Sequence, residues 1–595
     1  MVKYKEVIFV ALILFFLAFS FYPTVFDLSK ARALGDPNRE HILEHNFYWP
    51  DYNLYLSKIR QGFEGHFLAA EKYTSELHQG SLIQEFYVVL GLLGRILDID
   101  PNLSYQLGRL LFSPLLLLII LMLTRFYFKS FKWQIAAFII IIVSGSFPRF
   151  YQDAQGTLQI GRFMEWWSNI DALQRITFIP HILFGQVISF YLLYKLTIKQ
   201  PGHLTIRRLV VYILLGNLTG LVFPPSLITL IGVISLIIIL RSIIKFSKNT
   251  LNLKAGGSKE GFPNEASLGI TDKSLVSRGR ALEAKFGIPE RQDPQIIMMI
   301  FILLTLPSLL YIFFLTKQIP WSALVDFHRT HPMMIPFWQY ILGTGPIFFL
   351  GIAGAIVSIV KRQRQFQPLI FWVLTTFAFA VFFTHFREQS PLRFTQTGLF
   401  IPLGILGAYL FYELYHLSNL GHLSHLFRPT IPVILSLYIL GSFYMMTVSL
   451  KWQTTWITQR VRATMPAVPY PPQTMFPLTS WMDGIRWLRD HTDHNDVVLA
   501  EITAASHIPA YSGNTVYFGQ ANTVDYEIKQ QQVWNFFEGK MTASEAQNFI
   551  QRGRIKYVFY SIQEKEKSQG LNLETVYPFL KPVFNNQTVT IYKLE

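Results

Sequence analysis

QIIMMIFILLTLPSLLYIFFL, residues 295–315, is the stretch that decides the fold class. It contains no charged side chain, and an α-helix needs about 20 apolar residues to cross the hydrocarbon core of a bilayer. Comparable runs recur along the chain and end at short polar stretches. This pattern is typical of membrane spans rather than of several soluble cores. The sequence therefore predicts a polytopic α-helical membrane protein.

The remaining apolar blocks bring the expected number of transmembrane helices to about eleven. The first is too long for the core of a signal peptide and lacks a small-x-small cleavage site, so we interpret it as an uncleaved span. Lys and Arg concentrate in the loops on one side, which predicts that this side and the N-terminus are cytoplasmic. The protein is thus expected to be a multi-pass protein of the cytoplasmic (inner) membrane. The predicted spans are 6–25, 105–126, 134–148, 177–197, 208–223, 226–244, 295–315, 340–360, 368–384, 397–415 and 430–450.

Composition excludes several classes of function. Of the 595 residues, 51% are hydrophobic and only 15% are charged, and the mean hydropathy is +0.31. The formal net charge of +15 is explained by the basic cytoplasmic loops, so no nucleic-acid partner is expected. The chain has no cysteine, which excludes disulfides, thiolate metal sites and a cysteine nucleophile.

Two domains are predicted. Residues 1–450 form the transmembrane domain, with a long first outer loop at 26–104 and a flexible Gly-, Lys- and Ser-rich inner loop at 245–294. Residues 451–595 form a small extracytoplasmic α/β domain, because helical and extended patterns alternate there. The expected elements of that domain are helix 479–490, strand 496–501, extended segment 515–518, helices near 524–538 and 542–553, strand 556–561 and a hairpin at 583–593.

The first outer loop contains WPDYNLYLSKIRQGFEGHF, residues 49–67, with helical periodicity over 52–61. The sequence leaves two interpretations of Asp51. It caps the helix, or it is a carboxylate at the membrane surface that accepts a proton from a sugar hydroxyl or binds a cation. We expect Trp49 and Tyr52 to line the substrate-binding site. A second helical stretch, 81–97, is apolar enough to lie in the membrane interface.

The second predicted outer segment, residues 147–176, brings more acids and aromatic rings to the same face of the bilayer as Asp51. It holds three acidic candidates, Asp153, Glu165 and Asp171, beside Trp166 and Trp167. Acids among aromatic faces are consistent with a sugar-binding surface. Tryptophans that anchor a protein at the membrane interface would give the same pattern, and the residues alone leave both interpretations open.

Two further outer segments carry histidines and arginines. VDFHRTHPMM, residues 325–334, presents His328 and His331, a spacing that could ligate a metal or line a substrate. HFREQSPLRF, residues 385–394, presents Arg387 and Arg393 beside a span. Arginine at this depth suits a lipid phosphate, although an arginine that only snorkels to the interface would look the same.

Together these features resemble the GT-C superfamily of polyprenyl-phosphate-dependent membrane glycosyltransferases. Relatives include protein O-mannosyltransferases, aminoarabinose transferases and an uncharacterised bacterial branch. The architectural resemblance covers most of the chain. In residues it rests on PDYNLYLSKIRQGFEGHF (50–67), SPLRFTQTGLFIPLGILGA (390–408) and the tail segments WLRDHTDHNDVVLAE (487–501) and IPAYSGNTVYFGQ (508–520).

The resemblance implies roles for individual residues. Asp51 matches the catalytic carboxylate of the first outer loop, Arg393 matches a basic residue near the lipid phosphate, and Arg387 stands close to it. One of the three second-segment acids would match a second-loop acid. A divalent cation, Mg or Mn, is an optional cofactor, held by Asp51 and Asp153 if present.

The chain departs from the family pattern in three places. Tyr52 follows Asp51, where the O-mannosyltransferase and aminoarabinose-transferase branches carry an Asp-Glu doublet. Asn514 and Gln520 stand where the bacterial tail pattern has a basic residue and a histidine. These departures bear on the choice of substrate and on whether catalysis is retained.

The expected activity is transfer of a sugar from a polyprenyl-phosphate donor to a hydroxyl of a glycan, lipid or protein, with inversion, on the extracytoplasmic face. Membrane lipid is the other expected partner. Two alternatives stay open. A GT-C-like protein that has lost catalysis would bind or assemble envelope polysaccharide, and a lipid or polysaccharide transporter would need a polar path through the spans.

Overall fold

The computed structural model describes residues 2–45, 49–198, 205–256, 293–386, 390–418, 424–462 and 476–594. Arg387 and most of the inner loop, residues 257–292, lie outside the described residues, as does the side chain of Trp49. The fold divides into a helical membrane part and a C-terminal layer of helices and strands.

The membrane part consists of fifteen described helices and one small hairpin. The hairpin pairs β1 (Pro148–Gln152) with β2 (Leu158–Arg162) in antiparallel fashion. The helices are α1 (Val2–Arg32), α2 (Trp49–Phe63), α3 (Glu85–Leu97), α4 (Pro101–Tyr127), α5 (Phe131–Val143), α6 (Pro180–Leu193), α7 (Ile206–Val222), α8 (Pro224–Gly256), α9 (Pro294–Leu315), α10 (Ala323–Thr330), α11 (Phe337–Thr344), α12 (Pro346–Val360), α13 (Gln367–Phe382), α14 (Phe400–Leu417) and α15 (Ser424–Arg462).

Among the described residues, 8 helices are long and apolar enough to cross a membrane, or 9 if the pair α11 and α12, bent by 88°, is one span. The polytopic helical fold is therefore confirmed. The two other predicted spans correspond to α5, which has 13 residues, and α7, which has 17. At about 1.5 Å per residue, α5 reaches only about two thirds of a 30 Å hydrocarbon core.

Helices α2 and α3 of the first outer loop pack against each other at glycines. A side chain at Gly62 would collide with the backbone of Val88, and one at Gly91 with the backbone of Ile59. The close contact holds α2 in place beside the membrane helices. On its other side α3 exposes apolar side chains such as Ile96, which favours the predicted position in the membrane interface.

The C-terminal part is an α/β layer, as predicted. Its five strands have the order β4-β3-β5-β7-β6, in which β3 pairs in parallel with β4 and β5, and β7 pairs antiparallel with β5 and β6. The prediction missed α17, α20 and α21. The elements are α16 (Thr479–His491), β3 (Val497–Leu499), α17 (Ile502–Tyr511), β4 (Thr515–Val516), α18 (Tyr526–Phe537), α19 (Ala543–Gly553), β5 (Ile555–Tyr560), α20 (Ile562–Lys567), α21 (Leu573–Val576), β6 (Leu580–Asn585) and β7 (Thr590–Leu594).

The boundary between the two domains stays a prediction. Helix α15 continues across residue 450 and ends at Arg462, so one long helix crosses the predicted boundary. The segment that follows, 463–475, lies outside the described residues.

The C-terminal layer contacts the first outer loop through α17, which packs on α2. Asn53 Nδ2 donates to Ser506 Oγ at 3.1 Å, and Arg60 Nε donates to the carbonyl of Ala510 at 2.7 Å. The Tyr73 hydroxyl donates to the carbonyl of Ser506 at 3.0 Å. Since Asn53, Ser506 and Tyr73 are buried, this interface joins the two parts by polar contacts shielded from water.

Glu501, which caps α17, predicts an unusual pH dependence of stability. Burial, together with Glu564 nearby, raises the pKa of Glu501 from 4.5 to about 7. A folded-state pKa above the unfolded value stabilises the fold below pH 4.5, and this contribution is lost as pH rises through 7. We expect Glu501→Gln to raise stability at pH 8 by about 3 kcal/mol, since each pKa unit is worth about 1.4 kcal/mol.

Thermal unfolding followed by circular dichroism of the full chain in detergent would measure this effect. At pH 4.5 the variant and the wild type should unfold at nearly the same temperature, because the wild-type carboxyl is then protonated. A loss of stability at both pH values would contradict the assignment.

Candidate functional site

Asp51 is the third residue of α2 and therefore lies in the first turn of that helix rather than at its cap. A carboxylate in the first turn is favoured by the helix dipole. Its side chain is exposed, yet desolvation raises its pKa above the usual 3.8. A raised pKa suits a proton acceptor, so this carboxyl is a candidate general base.

Arg393 supplies positive charge to the surroundings of Asp51. It lies in a short 3₁₀ helix, Pro391–Gln396, that precedes α14. Its guanidinium partly offsets the burial effect on Asp51 by lowering the pKa of that carboxyl. Its charge also acts on His181 and on His328. Three segments that are remote in sequence therefore lie within electrostatic range of Arg393.

His181 is a site residue that the sequence analysis missed. It is the second residue of α6, and its Nδ1 shares a hydrogen bond of 2.7 Å with the Tyr87 hydroxyl. The Tyr55 ring stacks on Tyr87 with 4.3 Å between centroids and meets His181 edge-on at 5.3 Å. Together these rings form an aromatic wall beside His181. A histidine directly after a proline at the outer end of an apolar block is the sequence signal that could have identified it.

His328 is a buried imidazole within electrostatic range of Arg393. Burial and the charge of Arg393 lower its pKa to about 4, so at pH 7 the imidazole is uncharged. It is 8% exposed, and neither ring nitrogen has a hydrogen-bond partner among the described residues. Buried polar groups normally have a hydrogen-bond partner, so the His328 ring is expected to bind a polar group.

His331, by contrast, points to the C-terminal layer. Its ring stacks on Phe327 at 4.4 Å, and its Nδ1 lies 3.6 Å from Glu527 of α18. His328 and His331 thus have different surroundings and do not form a shared metal site. No group of three or more His, Asp or Glu side chains suited to a metal ion occurs in the described part of the chain.

The acids of the second outer segment differ in their surroundings. Asp153 organises the turn of the β1–β2 hairpin, where it accepts hydrogen bonds from the backbone N–H of Gln155 and Thr157 and from Gln159 Nε2. Asp171 is buried, forms an ion pair with Arg162 and accepts a hydrogen bond from Ser449 Oγ at 2.6 Å. Both acids have structural partners. Glu165 is half-buried, and the identity of a second-loop acid stays a prediction.

The aromatic candidates also differ in their contacts and exposure. Trp167 Nε1 donates to Thr395 Oγ1 at 3.1 Å, which places the second outer segment against the turn that carries Arg393. Trp166 is 56% exposed. Tyr52 is fully buried and donates to Asn102 Oδ1 at 2.6 Å, so its contacts are those of a core side chain that supports α2.

The Asp171 contacts predict a loss of stability in a variant. Asp171→Asn removes the negative charge and leaves the buried Arg162 guanidinium without it, which costs about 3–5 kcal/mol in buried ion pairs. Chemical denaturation of the purified protein would measure the loss. The matched control is Asp153→Asn, in which the amide oxygen can still accept the turn hydrogen bonds and the change stays within about 0.5 kcal/mol. Equal effects of the two substitutions would contradict the assignment.

Comparisons with known proteins add three solved structures. No family model matches the chain, and a search of curated proteins gives no significant match. The chain is similar to the oligosaccharyltransferase of Archaeoglobus fulgidus in the apo form, with 13% identity, a TM-score of 0.48 and coverage of 98% of this chain and 74% of that chain.

It is also similar to that oligosaccharyltransferase in complex with Zn and sulfate, with 12% identity, a TM-score of 0.46 and coverage of 97% and 73% of the two chains. The arabinofuranosyltransferase AftD from Mycobacteria matches with 12% identity, a TM-score of 0.48 and coverage of 98% of this chain and 40% of AftD. TM-scores below 0.5 are too low to support an activity, so the functional assignment depends on the chain's own residues.

Proposed function

We propose that this protein is a GT-C-type membrane glycosyltransferase that takes a sugar from a polyprenyl-phosphate donor at the extracytoplasmic membrane surface. The acceptor is a hydroxyl of a glycan, lipid or protein. The observation that supports the proposal is the meeting of Asp51, His181 and His328 around the charge of Arg393. This set combines a proton acceptor with a cation and uncharged hydrogen-bonding rings beside a membrane helix bundle.

The proposed reaction is a single displacement. Asp51 accepts the proton of the acceptor hydroxyl while the hydroxyl oxygen bonds to the anomeric carbon of the donor sugar. The bond between that carbon and the phosphate oxygen breaks, and its electron pair stays on the leaving polyprenyl phosphate. The Arg393 guanidinium stabilises the charge that develops on the phosphate. Attack from the face opposite the leaving group inverts the anomeric centre.

His328 fits a supporting role in this scheme. An imidazole that is uncharged at pH 7 can donate one hydrogen bond and accept another, which suits a phosphate oxygen or a sugar hydroxyl. The hydrogen bond between the Tyr87 hydroxyl and His181 fixes the orientation of a second imidazole in the aromatic wall. The apolar tail of the donor would lie against the spans that end at this surface.

The test is turnover by the purified full chain in lipid nanodiscs. A panel of polyprenyl-phosphate-linked sugars is offered together with an envelope extract as acceptor, and released polyprenyl phosphate is measured by mass spectrometry. We expect release with at least one donor, together with incorporation of the sugar into acceptor. Absence of release with every donor, with the protein folded, would favour the alternative of a GT-C-like protein without catalysis.

A further inference from the structure

A large groove in the C-terminal layer lies outside the candidate active site. Its volume is about 610 Å³, within the range of about 300–1,000 Å³ typical of ligand sites. It runs along α19 and the adjoining ends of β3 and β5. The groove is open to solvent along its length, so it can admit part of a chain.

The polar lining of the groove carries no net charge. The carboxylates of Asp493 and Asp496 are balanced by the cations of Arg554 and Lys556, and Lys556 pairs with Asp496. A phosphate, nucleic acid or acidic polymer would be expected to select an excess of Lys and Arg. A neutral ligand fits the balanced lining better.

The hydrogen-bonding groups of the groove suit sugar hydroxyls. Gln547 and Gln551 are one helical turn apart on α19 and line the groove together with Asn495. Each of these amides donates and accepts hydrogen bonds, as a sugar hydroxyl does. Phe579 and Leu594 are half-buried and add apolar lining, against which the C–H face of a sugar ring can pack.

The first outer loop holds two sides of the groove in position. Arg554 ends α19 in the left-handed region, at φ 57°, which non-glycine residues adopt uncommonly. Its Nη1 donates to the carbonyl of Ser75 at 3.2 Å. On the other side Lys72 Nζ donates to Asn495 Oδ1 at 3.3 Å. The groove is therefore built by contacts between the C-terminal layer and the loop that follows α2.

The same loop connects the groove to the helix that carries Asp51. Lys58 of α2 donates to the carbonyl of Ala70 at 2.6 Å and pairs with Glu71 at 3.1 Å, with both side chains almost fully buried. The loop that bonds to the lining residues Asn495 and Arg554 is therefore itself held on α2.

We infer that this groove binds a segment of neutral glycan. Resting on the proposed function, the inference identifies the bound segment as part of the acceptor, held some distance from the hydroxyl that reacts. The groove thereby selects an oligosaccharide acceptor over a single sugar or a lipid alcohol.

Binding can be tested separately from catalysis. Fluorescently labelled neutral oligosaccharides of glucose, mannose, galactose and arabinose are titrated against the full chain in nanodiscs, and affinity is read from fluorescence anisotropy. We expect the double variant Gln547→Ala, Gln551→Ala to bind about tenfold more weakly, the effect of losing two hydrogen bonds. Alanine favours the helix, so α19 should be preserved.

Gln531→Ala on α18 is the matched control, because Gln531 is an exposed helical glutamine outside the groove lining. It should bind like the wild type. Three results would overturn the inference: no binding of any neutral oligosaccharide, selective binding of unglycosylated peptides or anionic glycans, or equal affinity of the double variant and the wild type. Failure of the transfer assay alone leaves a positive binding result standing and counts against the proposed function instead.

Discussion

Asp51→Asn is expected to lower kcat by about 10²–10⁴-fold, the usual contribution of a general base. Asparagine has nearly the same shape and cannot accept the proton, so the acceptor hydroxyl is left without a base. Donor affinity should change little, since the proposed contact of the lipid phosphate is with Arg393. Turnover and donor binding are measured on the same nanodisc preparation.

The pH dependence of wild-type activity tests the role of Asp51 independently. Burial raises the pKa of Asp51 above its usual 3.8, so activity should rise with pH along an acid limb displaced upward from that value. Asp98→Asn is the matched control, because Asp98 is an exposed acid at the end of α3 in the left-handed region, at φ 53°, which asparagine also adopts. Unchanged turnover in Asp51→Asn would remove Asp51 from the mechanism.

Arg393→Gln is expected to lower kcat/KM by about 10²–10³-fold, as loss of one donor to a developing negative charge commonly does. Because Arg393 lowers the pKa of Asp51, its removal should also shift the acid limb of the pH profile to higher pH. A side chain that only snorkels to the interface would produce neither change.

The substitution Arg393→Lys tests the positive charge of residue 393 separately from the shape of the guanidinium. Lysine keeps the positive charge, so the acid limb should return close to its wild-type position. It lacks the planar guanidinium that pairs with two phosphate oxygens at once, so kcat/KM should stay below the wild-type value. An acid limb that does not move in Arg393→Gln would contradict the proximity of Arg393 to Asp51.

Local patterns predicted the helices well because each apolar block contains the information for its own conformation. The periodicity of 52–61 and 81–97 corresponds to α2 and α3, and the alternation after residue 479 gave the main strands. Helix α17 was missed because it is short and contains Pro509. Its helical state is supported by packing on α2, which the sequence does not display.

The site was predicted only in part for the same reason. Asp51 and Arg393 carry recognisable local signals, and the structure brings them within electrostatic range. The ion pair of Asp171 and its contact with Ser449, 278 residues away, have no local signature, so Asp171 looked equivalent to Asp153. Asn514, at which the chain departs from the bacterial tail pattern, is buried, and its side chain donates a hydrogen bond to the carbonyl of Asp493 at 2.9 Å.

The hydrogen bond between Asn53 and Ser506 joins residues 453 positions apart. At about 5–20 residues per second, a ribosome makes Ser506 roughly 20–90 s after Asn53. Throughout that interval α2 lacks the helix on which it packs. A nascent or prematurely terminated chain would therefore hold α2 without one of the helices that fix it, and the proposed transfer activity is expected only after synthesis has passed α17.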